Sequence, residues 1–158
     1  MKHKNFTKLM IPVLLIVMAS FSGCSKSNDQ SNNTSDLYKT WILVKKEINM
    51  INTVLPEDDA YPITLTFLPD NKFHGRHDAN TYEGTYIIQS DNISLSVTSI
   101  TDVNDIEWYW DYINQLSNVR KFVLKDVDNL QLLNENNSNT FYFMSKNKFE
   151  EEYFELEE

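Results

Sequence analysis

Residues 63–100 read ITLTFLPDNKFHGRHDANTYEGTYIIQSDNISLSVTSI, and their dominant period is two. Ile63, Leu65 and Phe67 alternate with Thr64 and Thr66, and Ile93, Leu95 and Val97 alternate with Ser94, Ser96 and Thr98. Alternation of this kind puts apolar side chains on one face of a half-buried strand. Between these runs, Pro69-Asp70-Asn71 and Ser90-Asp91-Asn92 supply turn chemistry: proline presets φ, and Asp and Asn tolerate the corner. Lys72–Arg76 then returns as a hairpin strand. Tyr82–Gln89 places Tyr82, Gly84, Tyr86 and Ile88 on one side. The stretch predicts an antiparallel meander.

Outward from this stretch, Thr40–Ile48 reads as a first strand, and Asn49–Tyr61 as a loop carrying Pro56 and the acids Glu57, Asp58 and Asp59. Downstream the period changes. Ile106, Tyr109, Trp110, Ile113, Leu116 and Val119 recur at helical spacing, which predicts an amphipathic helix over 105–119. Strands resume at Lys121–Lys125, Asn129–Leu133 and Thr140–Ser145. The expected fold class is α+β and mostly β: a curled antiparallel sheet, a partial barrel of about seven or eight strands, with one helix packed on its open side.

The chain has 158 residues and a formal net charge of −9, a length that fits one domain. Its first 23 residues carry Lys2, Lys4 and Lys8 and no acid, so the rest is more acidic than the whole. An acidic domain argues against nucleic acid as a partner, because phosphate binding needs a cationic surface. The apolar run Leu9–Phe21 follows the basic start and is short for a membrane span, as in an export signal. Ser22-Gly23-Cys24 at its end resembles a bacterial lipobox, in which the cysteine is lipidated and becomes the first mature residue. Phe21 stands where leucine is usual. Residues 1–23 are therefore expected to be a lipoprotein signal peptide. Residues 24–36, which run from Cys24 without an apolar residue between Ser25 and Asp36, are expected to be a flexible tether. Cys24 is the one cysteine, which excludes a disulfide framework. The last segment, 147–158, reads as an acidic tail, although Phe149, Tyr153 and Leu156 at helical spacing also allow a short docked helix.

Trp41 and Leu43, Phe67, Gly75, Asn80, Gly84 and Tyr86 follow the order of a known signature. It has an early Trp-x-Leu, a strand ending in Phe, a Gly, an Asn, and then Gly-x-Tyr. In this respect residues 37–146 resemble the META domain family, heat-shock lipoprotein-like proteins of bacterial envelopes, here as a lipoprotein of the Bacteroides type. Asp78-Ala79 replaces the Gly-Cys that many members have before the asparagine, and a second family cysteine is missing. The resemblance implies a small mixed α/β fold, no established catalytic activity and an association with stress tolerance. Read physically, Gly75 and Gly84 permit φ > 0, a bulge, or close packing under an aromatic ring. Trp41 and Tyr86 close the ends of the core, and Asn80 bonds neighbouring backbone.

Motifs for chemistry are sparse. His74-Gly75-Arg76-His77-Asp78 is the one dense polar cluster; period two puts His74 and Arg76 on one face and His77 on the other. It is expected to be exposed loop at the mouth of the sheet, and neither a metal nor a cofactor is expected there. Asp126-Val127-Asp128-Asn129 reads as a hairpin turn, since it lacks the glycine and bidentate glutamate of a calcium loop. Arg76, Asn80 and Tyr82 are the candidates for lining a ligand groove, and Trp108, in the run Trp108-Tyr109-Trp110, for an exposed aromatic contact. The expected protein is a monomeric, non-enzymatic, lipid-anchored module of the outer membrane. It faces the periplasm or the cell surface and contacts an envelope protein or a small ligand. The alternatives are a lipocalin-like carrier of a small apolar ligand and, less favoured, a hydrolase.

Overall fold

The computed structural model describes residues 34–49, 51–54, 61–101, 103 and 107–154. Cys24 and most of the expected tether lie outside them. The chain enters through a 3-10 turn, Thr34–Leu37, whose Leu37 is fully buried. Nine strands follow among the described residues: β1 (Thr40–Ile48), β2 (Ile51–Val54), β3 (Thr64–Phe67), β4 (Lys72–His77), β5 (Asn80–Gln89), β6 (Asn92–Ile100), β7 (Val119–Leu124), β8 (Asn129–Asn134) and β9 (Asn139–Ser145). Helix α1 (Glu107–Leu116) sits between β6 and β7, and α2 (Lys146–Phe154) continues directly from β9.

Each strand pairs antiparallel with the next around a ring, β1-β3-β4-β5-β6-β7-β8-β9, and β9 pairs back to β1. The barrel is closed. That corrects the expectation of a partial barrel: β1 pairs with β9 from Trp41 against Ser145 to Ile48 against Asn139, with one register shift between Leu43 and Lys45. A second helix and a further strand are also corrections. The expected loop 49–61 begins as a hairpin: Ile48 pairs with Ile51, and Asn49 stands at φ 50°, the left-handed conformation that tight hairpins favour. The expected acidic tail is helical as far as Phe154 and lies against β1 and β9. Among its aids are Lys146–Glu150 and Lys148–Glu152 ion pairs one turn apart.

An eight-stranded barrel has an interior about wide enough for side chains to fill. Here Leu43, Leu65, Phe67, Phe73, Phe122, Leu132, Phe141 and Phe143 fill it, all at 1% exposure or less except Phe141 at 2%. Trp41 joins them and donates its indole N–H to the Leu37 carbonyl at 3.0 Å, which ties the entry turn to the core. The other end is stopped by α1. Tyr109, Tyr112 and Leu116, at spacings of three and four, are fully buried, and Tyr112 meets Phe141 edge-on at 5.2 Å. Between β6 and β7 only Asn92 and Lys121 are register partners. The strands diverge where the chain leaves the ring to form α1.

Candidate functional site

The two glycines of the described residues lie in mid-strand, neither at positive φ. Gly75 is opposite Tyr82, whose ring lies across it so that the hydroxyl donates to the Thr64 carbonyl of β3 at 2.6 Å. A Cβ at Gly75 would sit 2.1 Å from that ring. Gly84 lies likewise opposite Phe73, beside a register shift in the β5–β6 ladder; a Cβ there would be 2.5 Å from the Phe73 ring and 2.1 Å from the Ser96 carbonyl. Tyr86 donates to the Leu68 carbonyl at 2.6 Å, at the same end of the barrel as Trp41. Left-handed backbone falls instead on Asn49, Asn71, Asp78, Ser90 and Asn137.

Asn80 is also buried. Its Nδ2 donates to the Val103 carbonyl at 2.7 Å, and its Oδ1 accepts from the Val103 amide at 2.8 Å, holding the segment that leads to α1. Tyr82 faces the interior, 2.8 Å from the Tyr112 hydroxyl. Burial, reinforced by the neighbouring tyrosines, pushes Tyr82 well above the usual tyrosine range, and burial is also the main cause of the upward shift of Tyr112. Both are neutral hydrogen-bonding hydroxyls at ordinary pH. Arg76 alone of the expected groove trio is exposed. The three therefore share no single groove, although Arg76 and Tyr82 both border a polar trough along β3, β4 and β5. Strand parity separates them: Arg76 faces out from β4, whereas Asn80 and Tyr82 face in from β5. The polar cluster divides the same way. His74 and Arg76 face outward, but His77 is 4% exposed and stacks on Tyr109 at 5.3 Å, which corrects its placement on an exposed loop. His74 lies opposite Glu83 on the outer face. Of Trp108 only the backbone is described, so the expected aromatic contact lies outside the described side chains. Its neighbour Trp110 is half-buried and meets Tyr109 edge-on at 5.1 Å.

The concave surface that emerges lies outside the barrel. Trp41 and Leu43 point into the core, so Ile42 points out, yet it is 3% exposed. It forms part of the floor of a groove of about 680 Å³ between β1, β3, β4 and α2, within the range of small-ligand sites. Tyr61, Phe149 and Tyr153 line it. Phe149 and Tyr153 stack at 4.4 Å, and Tyr61 and Tyr153 are each more than half exposed. Arg76, Asp78, Lys146 and Glu150 add charge at its edges. None of the aromatic three figured among the sequence-derived site residues. The signals were faint: the Phe149–Tyr153 spacing of four, and three consecutive apolar residues at 41–43, a run that alternation would have broken unless something covers the outer face.

A closed antiparallel barrel with a side groove is the class that fold and site define. Solved structures share the fold. A protein from Burkholderia xenovorans, solved by NMR, matches at TM-score 0.60 and 18% identity over 92% of this chain and 99% of its own. A DUF4847 family protein from Bacteroides vulgatus matches at 0.56 and 17%, over 68% and 92%. A lipocalin-like protein from Bacteroides uniformis matches at 0.51 and 19%, over 70% and 98%. At these identities the likeness is one of fold. No protein-family model and no curated protein matches the chain.

Proposed function

We propose that this chain is a non-enzymatic binding protein for a small apolar ligand, a carrier built on a lipocalin-like barrel and anchored to the bacterial envelope through Cys24. The observation that carries the binding reading is the groove of about 680 Å³ beside α2, with Ile42 in its floor and Tyr61, Phe149 and Tyr153 along its sides. Exposed aromatic rings in a concavity are costly to leave in water and favour an apolar occupant. The barrel interior is occupied by the chain's own side chains, so a ligand would sit outside it, and this groove offers aromatic walls. The anchoring reading rests on the lipobox-like Ser22-Gly23-Cys24, and an envelope stress role on the META resemblance alone.

Calorimetric titration of the full chain in lipid nanodiscs with 4-phenylbutan-1-ol, a neutral apolar probe, tests the groove, with empty nanodiscs as the blank. Saturable binding that Phe149→Ala and Tyr153→Ala weaken is the expected result. Binding that these variants leave intact but Tyr112→Ala changes would move the ligand into the barrel. Absence of binding would refute the reading. Labelled-palmitate incorporation tests the anchor: uptake that survives Cys24→Ala would exclude it.

A further inference from the structure

We infer that the ligand of this groove is an anion, a small apolar carboxylate whose head group is taken by the Arg76 guanidinium. The inference rests on the groove reading above and adds the ligand's charge to it. Arg76 lines the aromatic groove and also the polar trough beside it, where Thr66, His74 and Glu83 lie. It stands at the junction of an apolar and a polar surface, where the head of an amphiphile belongs.

The residue is held for such a role. Its backbone amide donates to Thr64 Oγ1 at 3.1 Å, and Thr64 Oγ1 donates back to the Arg76 carbonyl at 3.3 Å. Its Nε donates to the Asp78 carbonyl at 2.7 Å, which orients the guanidinium plane. Asp78 reaches that position because its own backbone is left-handed, with φ 47°. The Nη1 and Nη2 groups have no protein partner among the described residues, and no carboxylate among them lies within ion-pair distance. Lys146, the other cation at the groove, is already paired with Glu150 at 3.6 Å. Arginine presents parallel donors that match a carboxylate, and here two nitrogens remain for it. The ring-lined side of the groove would take the apolar body.

Three probes share one body: 4-phenylbutyrate, 4-phenylbutan-1-ol and 4-phenylbutylamine, titrated calorimetrically into the full chain in nanodiscs at neutral pH. The acid is expected to bind about tenfold tighter than the alcohol, as one charge-assisted pair at a partly exposed site would give, and the amine no tighter than the alcohol. In Arg76→Gln the acid should lose its advantage, binding no tighter than the alcohol does to that same variant. Lys146→Gln should preserve the preference, and salt should shrink it. Equal binding of acid and alcohol by the wild-type protein, or a preference that survives Arg76→Gln, overturns the inference while leaving the groove in place. If the alcohol itself does not bind, the groove reading falls and this inference with it.

Discussion

At the scale of single residues, glycine and asparagine have exchanged their ordinary duties. The turns put left-handed backbone on Asn, Asp and Ser, residues whose short polar side chains tolerate it at modest cost. The glycines are kept where no side chain fits. Gly75→Ala should therefore destabilise by about 1–3 kcal/mol or more, since its methyl group would displace the Tyr82 ring and with it the bond to Thr64. Gly84→Ala should do the same against the Ser96 carbonyl, which is backbone and cannot rotate away. Asn71→Gly, at φ 62°, should stay within about 1 kcal/mol of wild type. Urea denaturation separates the three, and a Gly75→Ala protein as stable as Asn71→Gly would contradict this division. Asn80→Ala strands both polar groups of Val103 and should cost about 1–3 kcal/mol, read as faster hydrogen exchange at the Val103 amide. Much of this was legible in advance. Period two sets His77 on the face opposite His74 and Arg76, and parity along Tyr82–Gln89 sets Tyr82, Gly84 and Tyr86 on one face, while Asn80 stands outside the strand so read. What sequence could not show is that both faces are the inside, because that depends on which strands close the ring.

Among the elements, α1 works as a stopper. It is tied to the barrel by the Tyr82–Tyr112 hydroxyl pair, by Gln115 accepting from Asn139 at 2.8 Å, and by Asp111 3.5 Å from the nearly buried Lys46 of β1. Its hydroxyl and its ring should count very differently. Tyr112→Phe leaves Tyr82 bonded to Thr64 and should cost about 0.5–1.5 kcal/mol. Tyr112→Ala empties the space against Phe141 and Phe143 and should cost about 3–5 kcal/mol. Denaturant midpoints of the two variants test this; similar values would mean that α1 contributes little to the core. The helix was legible from its three–four spacing, as were the meander strands from alternation. β2 was not, because no Asn-Gly or Asp-Gly pair marks a turn after Ile48 and a strand of four residues carries little periodicity. The docking of α2 stood only as the alternative to an acidic tail, because its five charged residues between Lys146 and Glu152 mask the two rings that face the groove.

For the molecule as a whole, buried tyrosines set the response to alkali. Tyr82 and Tyr112 are raised by burial, and Tyr86 is pushed up to about 12 by burial and the nearby Tyr38. In the unfolded chain these hydroxyls ionise near pH 10. Above that pH the unfolded state gives up protons that the folded state keeps, so stability falls as pH rises. The contribution is fully present below about pH 10 and is lost as pH climbs through the folded-state values. Tyrosinate absorbance from the core set should appear only with unfolding. A single step near pH 10 would show that the core tyrosines are accessible. Closure of the ring was the least legible feature of all, since the pairing of Trp41 with Ser145 leaves no local trace in sequence. That same pairing sets a timetable. Residues 41 and 145 must meet before the barrel exists, and contacts so distant along the chain are slow to form. At synthesis rates of about 5–20 residues per second, β1 waits on the order of five to twenty seconds for its partner. Its hairpin with β2 needs only microseconds and covers one edge of its second half meanwhile. The edge reserved for β9 stays bare throughout, open to other strands, until the last strand of the ring arrives.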